Sequence, residues 1–180
     1  FRAVALSLRN IIFRKKSYLR TMVVMINSEC NCKCKHCFAQ SFARDYRGLQ
    51  PLTVAEMREA LSEMVNSGVF HFALQGGEPF LNPQLDELIK ACKPYKSYIT
   101  LVTNGTVADI KRLKQVYDLG VDKIAISLDS YFPAEHDLFR GLAGCHDKAL
   151  KTLEEARKIG LDVSIAVTVT NDNLRTDSIR

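Results

Sequence analysis

No apolar run in this 180-residue chain approaches the roughly 18 residues that a membrane-spanning helix needs. A secretory signal pattern is missing, as are low-complexity tracts and any clear domain linker. What is left is one domain with a real core. Its composition, 47% apolar and 25% charged, is that of a globular protein. Acid is missing in one place. Residues 1–20 hold Arg2, Arg9, Arg14, Lys15, Lys16 and Arg20 but no Asp or Glu. Without those six the remainder has 19 basic against 20 acidic residues, a net of −1 where the whole chain has +5. A near-neutral body excludes a nucleic-acid binder with a broad basic face. The basic segment carries Val4, Leu8, Ile11 and Ile12 at roughly helical spacing. It reads as a leading helix or extension beside the first strand, with contact to an anionic membrane surface as the alternative. The start at Phe1 rather than Met, and the polar run 176–180, are those expected of a segment cut from a longer protein.

Six cysteines would suit three disulfides in a secreted chain, but their placement does not. Cys30, Cys32, Cys34 and Cys37 fall within eight residues, too crowded for separate bridges to distant segments. A reducing cytosol with metal ligation fits better. Cys30, Cys34 and Cys37 form a C-x3-C-x2-C set directly after an apolar run. A [4Fe–4S] cluster normally takes four Cys ligands, so three would leave one iron open to a non-protein ligand. Cys32, inside the gap, would crowd one metal centre and reads as a spectator. Structural zinc usually takes two well-separated ligand pairs, and four thiols on one loop are unlike that. Cys92 sits on an apolar helical face and reads as a buried structural thiol. Cys145 reads as a loop residue before a helix, its role open.

Strand and helix patterns alternate along the chain. Strands are expected at 21–26, 70–75, 98–103, 123–127 and 162–168. The first helix follows the capping box at Thr53 and Glu56, with Val54, Met57, Leu61, Met64 and Val65 on one face and Gly68 at its end. Asn82-Pro83 reads as an N-cap and first helical position, with Leu85, Leu88, Ile89 and Cys92 inward and Pro94 as the stop. Ile110, Leu113, Val116 and Tyr117 mark a third helix, closed by Gly120. A fourth starts at Asp147 with Ala149, Leu150, Leu153 and Ala156 inward, closed by Gly160. The pattern implies βαβ units and a parallel sheet. The fold class is α/β: a partial (β/α)6-type TIM-like barrel, ending after about the fifth strand, with residues 21–180 as its core domain.

Ligands of parallel α/β sheets bind beyond the carboxyl ends of the strands. There this chain places the Cys set, Gly76-Gly77-Glu78-Pro79, Thr103-Asn104-Gly105, Ser127-Leu128-Asp129-Ser130 and the stretch 168–173. Singly each is weak: Asn104-Gly105 reads as a plain turn, and Gly76-Gly77 as a tight one. Together the two glycines, with free N–H groups, and the Glu78 carboxylate suit the amino acid end of a ligand. Ser127 and Asp129 suit a capping role or a ribose hydroxyl. His36 reads as a surface residue or as a ring stacked near a ligand. His71 reads as core or surface, and His136 and His146 as loop residues.

Cys30-x3-Cys34-x2-Cys37 with an aromatic ring at 36, followed by QGGEP at 75–79, resembles the radical S-adenosylmethionine (radical SAM) enzymes over about residues 21–173. The stretch from His136 through Arg140-Gly141 to Gly144 resembles the subgroup with a C-terminal SPASM-type domain, many members of which modify ribosomally made peptides. The resemblance implies that Cys30, Cys34 and Cys37 hold three irons of a [4Fe–4S] cluster. The open iron would be chelated by the amino and carboxylate groups of SAM. Gly76, Gly77, Glu78 and Pro79 would adjoin the methionine part, with Glu78 on the ammonium. His36 and Val167 would pack around the adenine, Ser127 and Asp129 would reach the ribose, and Arg140 the carboxylate, with Asn173 a weaker candidate. A low-potential ferredoxin- or flavodoxin-type donor would reduce the cluster, and SAM would break to methionine and a 5′-deoxyadenosyl radical that takes a hydrogen from a peptide or small-molecule substrate. The resemblance implies no general base, while the near-neutral body argues against a nucleic-acid partner and the crowded thiols argue for a cytoplasmic location. The rivals are a cofactor- or lipid-biosynthesis enzyme of the same superfamily, a non-catalytic iron–sulfur or zinc module using all four clustered thiols, and a remnant that binds a cluster without turnover.

Overall fold

The computed structural model describes residues 20–40, 52–174 and 177. The expected leading segment therefore lies outside the described residues except for Arg20, whose carbonyl accepts from the Phe70 and His71 N–H groups. Five parallel strands stand side by side in chain order: β1 (Thr21–Met25), β2 (His71–Gln75), β3 (Tyr98–Thr103), β4 (Lys123–Ser127) and β5 (Asp162–Ala166). The connections carry α1 (Val54–Asn66), α2 (Leu85–Cys92), α3 (Ile110–Leu119), α4 (Pro133–Arg140) and α5 (Cys145–Lys158), and a short α6 (Asn171–Leu174) follows β5. This is the open parallel sheet that the alternation implied. Among the described residues β1 and β5 are its edges, and β5 leaves Ile165 52% exposed. No described helix is long and apolar enough to cross a membrane.

The core lies between the sheet and the helices. The register aligns Val24, Leu74, Leu101 and Ile124 across four strands, and all four are buried. Met57, Leu61 and Val65 of α1, Leu85, Leu88 and Ile89 of α2, Leu113 and Val116 of α3, and Ala149 and Ala156 of α5 cover them. Each large apolar side chain contributes roughly 1.5–3 kcal/mol by burial. One position back along β2 to β5, and one position earlier on β1, the aligned row Val23, Ala73, Thr100, Lys123 and Asp162 lines the opposite face. Period-two alternation thus sends apolar residues to the helices and mixed residues to the opposite face.

The Thr53–Glu56 capping box is present in both directions. Gly68 and Gly120 take the positive φ (103° and 111°) that ends α1 and α3. Several boundaries differ from expectation. Asn82 does not begin α2, which starts at Leu85. Its side chain instead accepts from the Gln84 N–H (2.8 Å) and donates to the Ile26 carbonyl (2.7 Å), tying the turn to the end of β1. β5 stops at Ala166 because the Thr168 N–H turns to the Asp129 carboxylate (2.8 Å). α5 begins at Cys145, two residues before Asp147, so Cys145 is a fully buried helical residue and not a loop thiol. Leu150, expected inward, and Ile110 and Tyr117, which mark α3, are 37–40% exposed. α4 was not foreseen. It turns His136, expected in a loop, into a fully buried helical residue, and His146 lies buried in α5.

Candidate functional site

The Cys loop continues the β1–β2 pairing beyond Met25. The Ile26 N–H donates to the Gln75 carbonyl (2.7 Å), the Gly77 N–H to Asn27 (2.9 Å) and the Glu78 N–H to Glu29 (2.7 Å). The Asn27 amide returns a bond to the Glu78 carbonyl (3.0 Å). This pairing gives the two glycines a structural duty of their own. A Cβ at Gly76 would overlap the side-chain and carbonyl oxygens of Asn27, and one at Gly77 the carbonyl of Glu29. The glycines admit the backbone that leads into the cysteines, and the Gly77 N–H is committed to that backbone, not free for a carboxylate.

The other flank of the loop rests on α4. The last carbonyls of a helix lack intrahelical donors. Here Arg140 and Phe139 accept from the N–H groups of Lys33 (2.9 Å) and Lys35 (3.3 Å). Gly141, at φ 64°, lets Lys33 come close: an added Cβ would stand 2.6 Å from its carbonyl oxygen. His36 stacks on Phe139 with ring centroids 4.4 Å apart and an interplanar angle of 19°. Burial is the main cause that lowers its pKa, with the nearby Arg140 charge adding to it. Its buried Nδ1 has no hydrogen-bond partner among the described residues.

Between these supports lies a cavity of about 310 Å³ at the carboxyl ends of the strands. Cys30, Cys32, Cys34, His36 and Cys37 line one side. Gly76, Gly77, Asn104, Ser127, Arg140, Val167 and Thr168 line the rest. The structure thus brings six of the nine expected ligand-binding residues outside the thiols to one space. Glu78 and Asp129, which the expectation aimed at an ammonium and a ribose, are engaged behind it, and Pro79 contributes the buried start of a 3-10 turn, Pro79–Leu81. On that count Pro79 joins them outside the lining, leaving His36, Gly76, Gly77, Ser127, Arg140 and Val167 from the expected set. Glu78 is fully buried; its carboxylate accepts from the Thr103 hydroxyl (2.7 Å), the Asn104 N–H (2.8 Å) and the Phe80 N–H (3.2 Å). Burial pushes its pKa up to about 7 against the pull of those bonds. Asp129, 1% exposed, holds Arg140 Nε at 2.5 Å and the Thr168 N–H at 2.8 Å. Its own N–H donates to His136 Nδ1 (3.1 Å). Asn173 bonds locally to Thr168 and Thr170 and does not reach the lining.

Asn104 is a site residue that sequence reasoning set aside as a turn. It is 5% exposed, and its Nδ2 donates to Asn31 Oδ1 (2.9 Å) and Cys32 Sγ (3.3 Å), with Cys30 Sγ at 3.8 Å. Its placement directly after β3, on the same rim as the cysteines, was the available signal. The Cys30 sulfur also accepts from the Cys32 N–H (3.4 Å), and Cys34 Sγ lies 3.8 Å from Arg140 Nη1. Hydrogen bonds from the Cys32 thiol are the main cause holding Cys30 down to about 6 and Cys34 to about 7. Cys92, by contrast, is pushed up to about 12 by burial alone, as a structural thiol should be.

Three thiols facing one cavity, two of them accepting N–H···S bonds, are a donor set suited to an iron–sulfur cluster. Among the described residues, no three His, Cys, Asp or Glu side chains stand grouped as they would around a single bound ion. The family model for the radical SAM superfamily matches residues 24–178. The chain is 34% identical over 148 residues to pre-heme d1 synthase of Dinoroseobacter shibae, covering 82% of this chain and 36% of that protein. It is 30% identical over 146 residues to Fe-coproporphyrin III synthase of Methanosarcina barkeri, covering 81% and 36%. Among solved structures, anSMEcpe with bound AdoMet and Cp18Cys peptide superposes with a TM-score of 0.66 at 24% identity, over 86% of this chain and 44% of that one. The chain spans a little over a third of the length of these curated relatives. It belongs to the radical SAM superfamily.

Proposed function

We propose that this chain forms the catalytic core of a radical SAM enzyme. Cys30, Cys34 and Cys37 hold three irons of a [4Fe–4S] cluster, and SAM occupies the cavity beside the open iron. The observation that carries the reading is the shared wall: the three thiols and the Gly76–Gly77 turn line one cavity at the carboxyl ends of the strands. When bound, the two groups supply one-electron cleavage of the sulfonium C–S bond and, from it, hydrogen abstraction from a substrate. The chain's own residues position and enclose. The Gly76–Gly77 backbone meets the methionine part. Glu78 and Pro79 fix that turn from behind, Glu78 by clamping Thr103 and Asn104. Arg140, aimed by Asp129, takes the carboxylate. Ser127 faces the ribose, and His36 and Val167 flank the adenine. A low-potential donor of ferredoxin or flavodoxin type delivers the electron. Six free thiols support a reducing, cytoplasmic location.

The substrate is a peptide in the first reading, supported by the peptide-bound neighbour of the same fold. The names of the relatives at 30–34% identity favour a second reading, a tetrapyrrole cofactor precursor. Anaerobic reconstitution should give about four iron and four sulfide per chain, with 5′-deoxyadenosine formed on adding SAM and dithionite. Cys34→Ala should lose both; a variant that keeps them refutes the reading.

A further inference from the structure

Residues 30–32 are the part of the Cys loop that neither flank holds by its backbone. The segment after β2 bonds to Asn27 and Glu29 on one side, and the end of α4 to Lys33 and Lys35 on the other. Three side chains close the gap between them in a ring. Asn104 Nδ2 donates to Asn31 Oδ1 (2.9 Å), Asn31 Nδ2 to the Thr106 hydroxyl (2.8 Å), and that hydroxyl to Asn104 Oδ1 (2.7 Å). Each member donates once and accepts once, so each orients the next, and linked bonds of this kind polarise one another. The Asn104 amide, held in this way, has Cys32 Sγ at 3.3 Å and Cys30 Sγ at 3.8 Å. It thus meets all three residues of the turn. The β3 side of the ring is a fixed anchor. The Asn104 N–H is bound to Glu78 (2.8 Å), and the Thr106 N–H gives Asn104 Oδ1 a second bond (2.9 Å). Between them the Gly105 carbonyl accepts from Thr152 of α5 (2.7 Å), and a Cβ at Gly105 would stand 3.0 Å from Ala149 Cα. The loop side is the open one: Asn31 is exposed, whereas Asn104 is buried.

We propose that Asn31, Asn104 and Thr106 form a latch that positions Cys30 for the cluster. The ring pins the turn at residues 30–32 to the end of β3 and so fixes where the first ligand sulfur stands. The inference rests on the cluster reading given above. All three are positioning residues that act through Cys30, and none of them binds iron. Hydrogen-bonded partners behind metal ligands hold those ligands in the geometry the metal needs.

Two measurements test it. Thr106→Val removes the ring hydroxyl and leaves every sulfur and charge in place. Anaerobically reconstituted, it should take up the iron and sulfide of the parent but lose them to a chelator about tenfold faster. The electron paramagnetic resonance line shape of its reduced cluster should change as well. Thr106→Ser, which restores the hydroxyl, should recover the parent's rate and spectrum. Asn31→Ala should match Thr106→Val, and the double variant should be no worse than either, because the ring acts as a unit. The second measurement needs no cluster. The Cys32 N–H is bonded to Cys30 Sγ (3.4 Å), so it reports on the turn directly. Hydrogen exchange of the segment 30–34 should be faster in cluster-free Thr106→Val than in the parent, while their urea denaturation curves coincide. A parent-like chelation rate and spectrum in Thr106→Val would overturn the proposal, as would unchanged exchange at 30–34 or a Thr106→Ser as impaired as Thr106→Val. A global destabilisation that accounts for the faster exchange would make the ring a general brace and overturn it too. Should Thr106→Val not fold, Asn31→Ala, a change at an exposed side chain, carries the same readouts. Failure of the parent protein to take up iron and sulfide would instead refute the cluster reading, and the exchange measurement would still decide whether the latch holds the turn.

Discussion

At the amino ends of the strands, Lys123 pairs with Asp162 at 3.0 Å, Tyr98 donates to Asp162 at 3.2 Å, and His71 lies between Thr21 and Thr100. At the carboxyl ends, Arg140 pairs with Asp129, and Glu78 and Asn104 join the Cys loop to β3. Both ends use acids, a base and hydroxyls on one sheet, but their solvation differs. The Asp162 side chain is 56% exposed and that of Lys123 30%, whereas Asp129 and Arg140 are at 1% and 10%. Water can replace any partner lost from the first set. In the second, each lost partner strands a desolvated polar group. The floor of the sheet should therefore tolerate change, and the rim should not.

Arg140→Ala should break the comparison most visibly. It leaves the Asp129 carboxylate buried with the Thr168 N–H at 2.8 Å and His136 Nδ1 no nearer than 4.0 Å, and removing one member of a buried pair costs about 4 kcal/mol. Urea denaturation of the chain should show that loss, and a stability within error of the parent would place Arg140 with the exposed set. Gly77→Ala comes next. Its Cβ meets backbone and not a yielding side chain, so a cost of about 3 kcal/mol is expected. Iron uptake should fall with it, because the displaced segment leads directly into Cys30.

These two sites also mark how far the sequence could be read. The strands, α1 and α2 announce themselves by periodicity, because their burial is apolar and repeats. α4 does not: its buried residues are His136 and Arg140, held by polar contacts to Asp129 from a neighbouring loop, so no apolar stripe exists to find. Only Pro133 at its start and Gly141 at its end marked it. The glycine pair was legible as a special turn, but the atoms that require it are Asn27 and Glu29, about fifty positions away in the chain. Asn104-Gly105 has the form of an ordinary turn, and its importance comes from Glu78 and Cys32. Contacts between distant segments decide the polar interior, and a local pattern carries little of that.

Glu78 sharpens the comparison through pH. Its pKa is raised to about 7 in the fold by burial, above the ordinary carboxylate value that the unfolded chain returns to. The folded state then holds the proton where the unfolded state has lost it, so stability falls as pH rises through that window. Between pH 5 and pH 7 the loss should be about 2 kcal/mol. Glu78→Gln cannot ionise, and the difference in unfolding free energy between parent and variant should drift by that amount across the window. A difference that stays flat would mean that the three donors hold Glu78 ionised in the fold.

The floor supplies the smallest effect and the sharpest contrast. Asp162→Asn removes the charge facing Lys123 and keeps an acceptor for Tyr98. Lys123 lowers the pKa of Asp162, so the pair does interact. Both side chains remain open to water, however, and solvation of the freed ammonium offsets what the ion pair contributed. The melting temperature and the iron content of Asp162→Asn should match those of the parent, and what little change occurs should vanish at high salt. A clear destabilisation that survives 1 M salt would mean that the floor of the sheet is drier than its exposure indicates. In that case the two ends of the sheet would differ in which segments they join, and not in how they meet water.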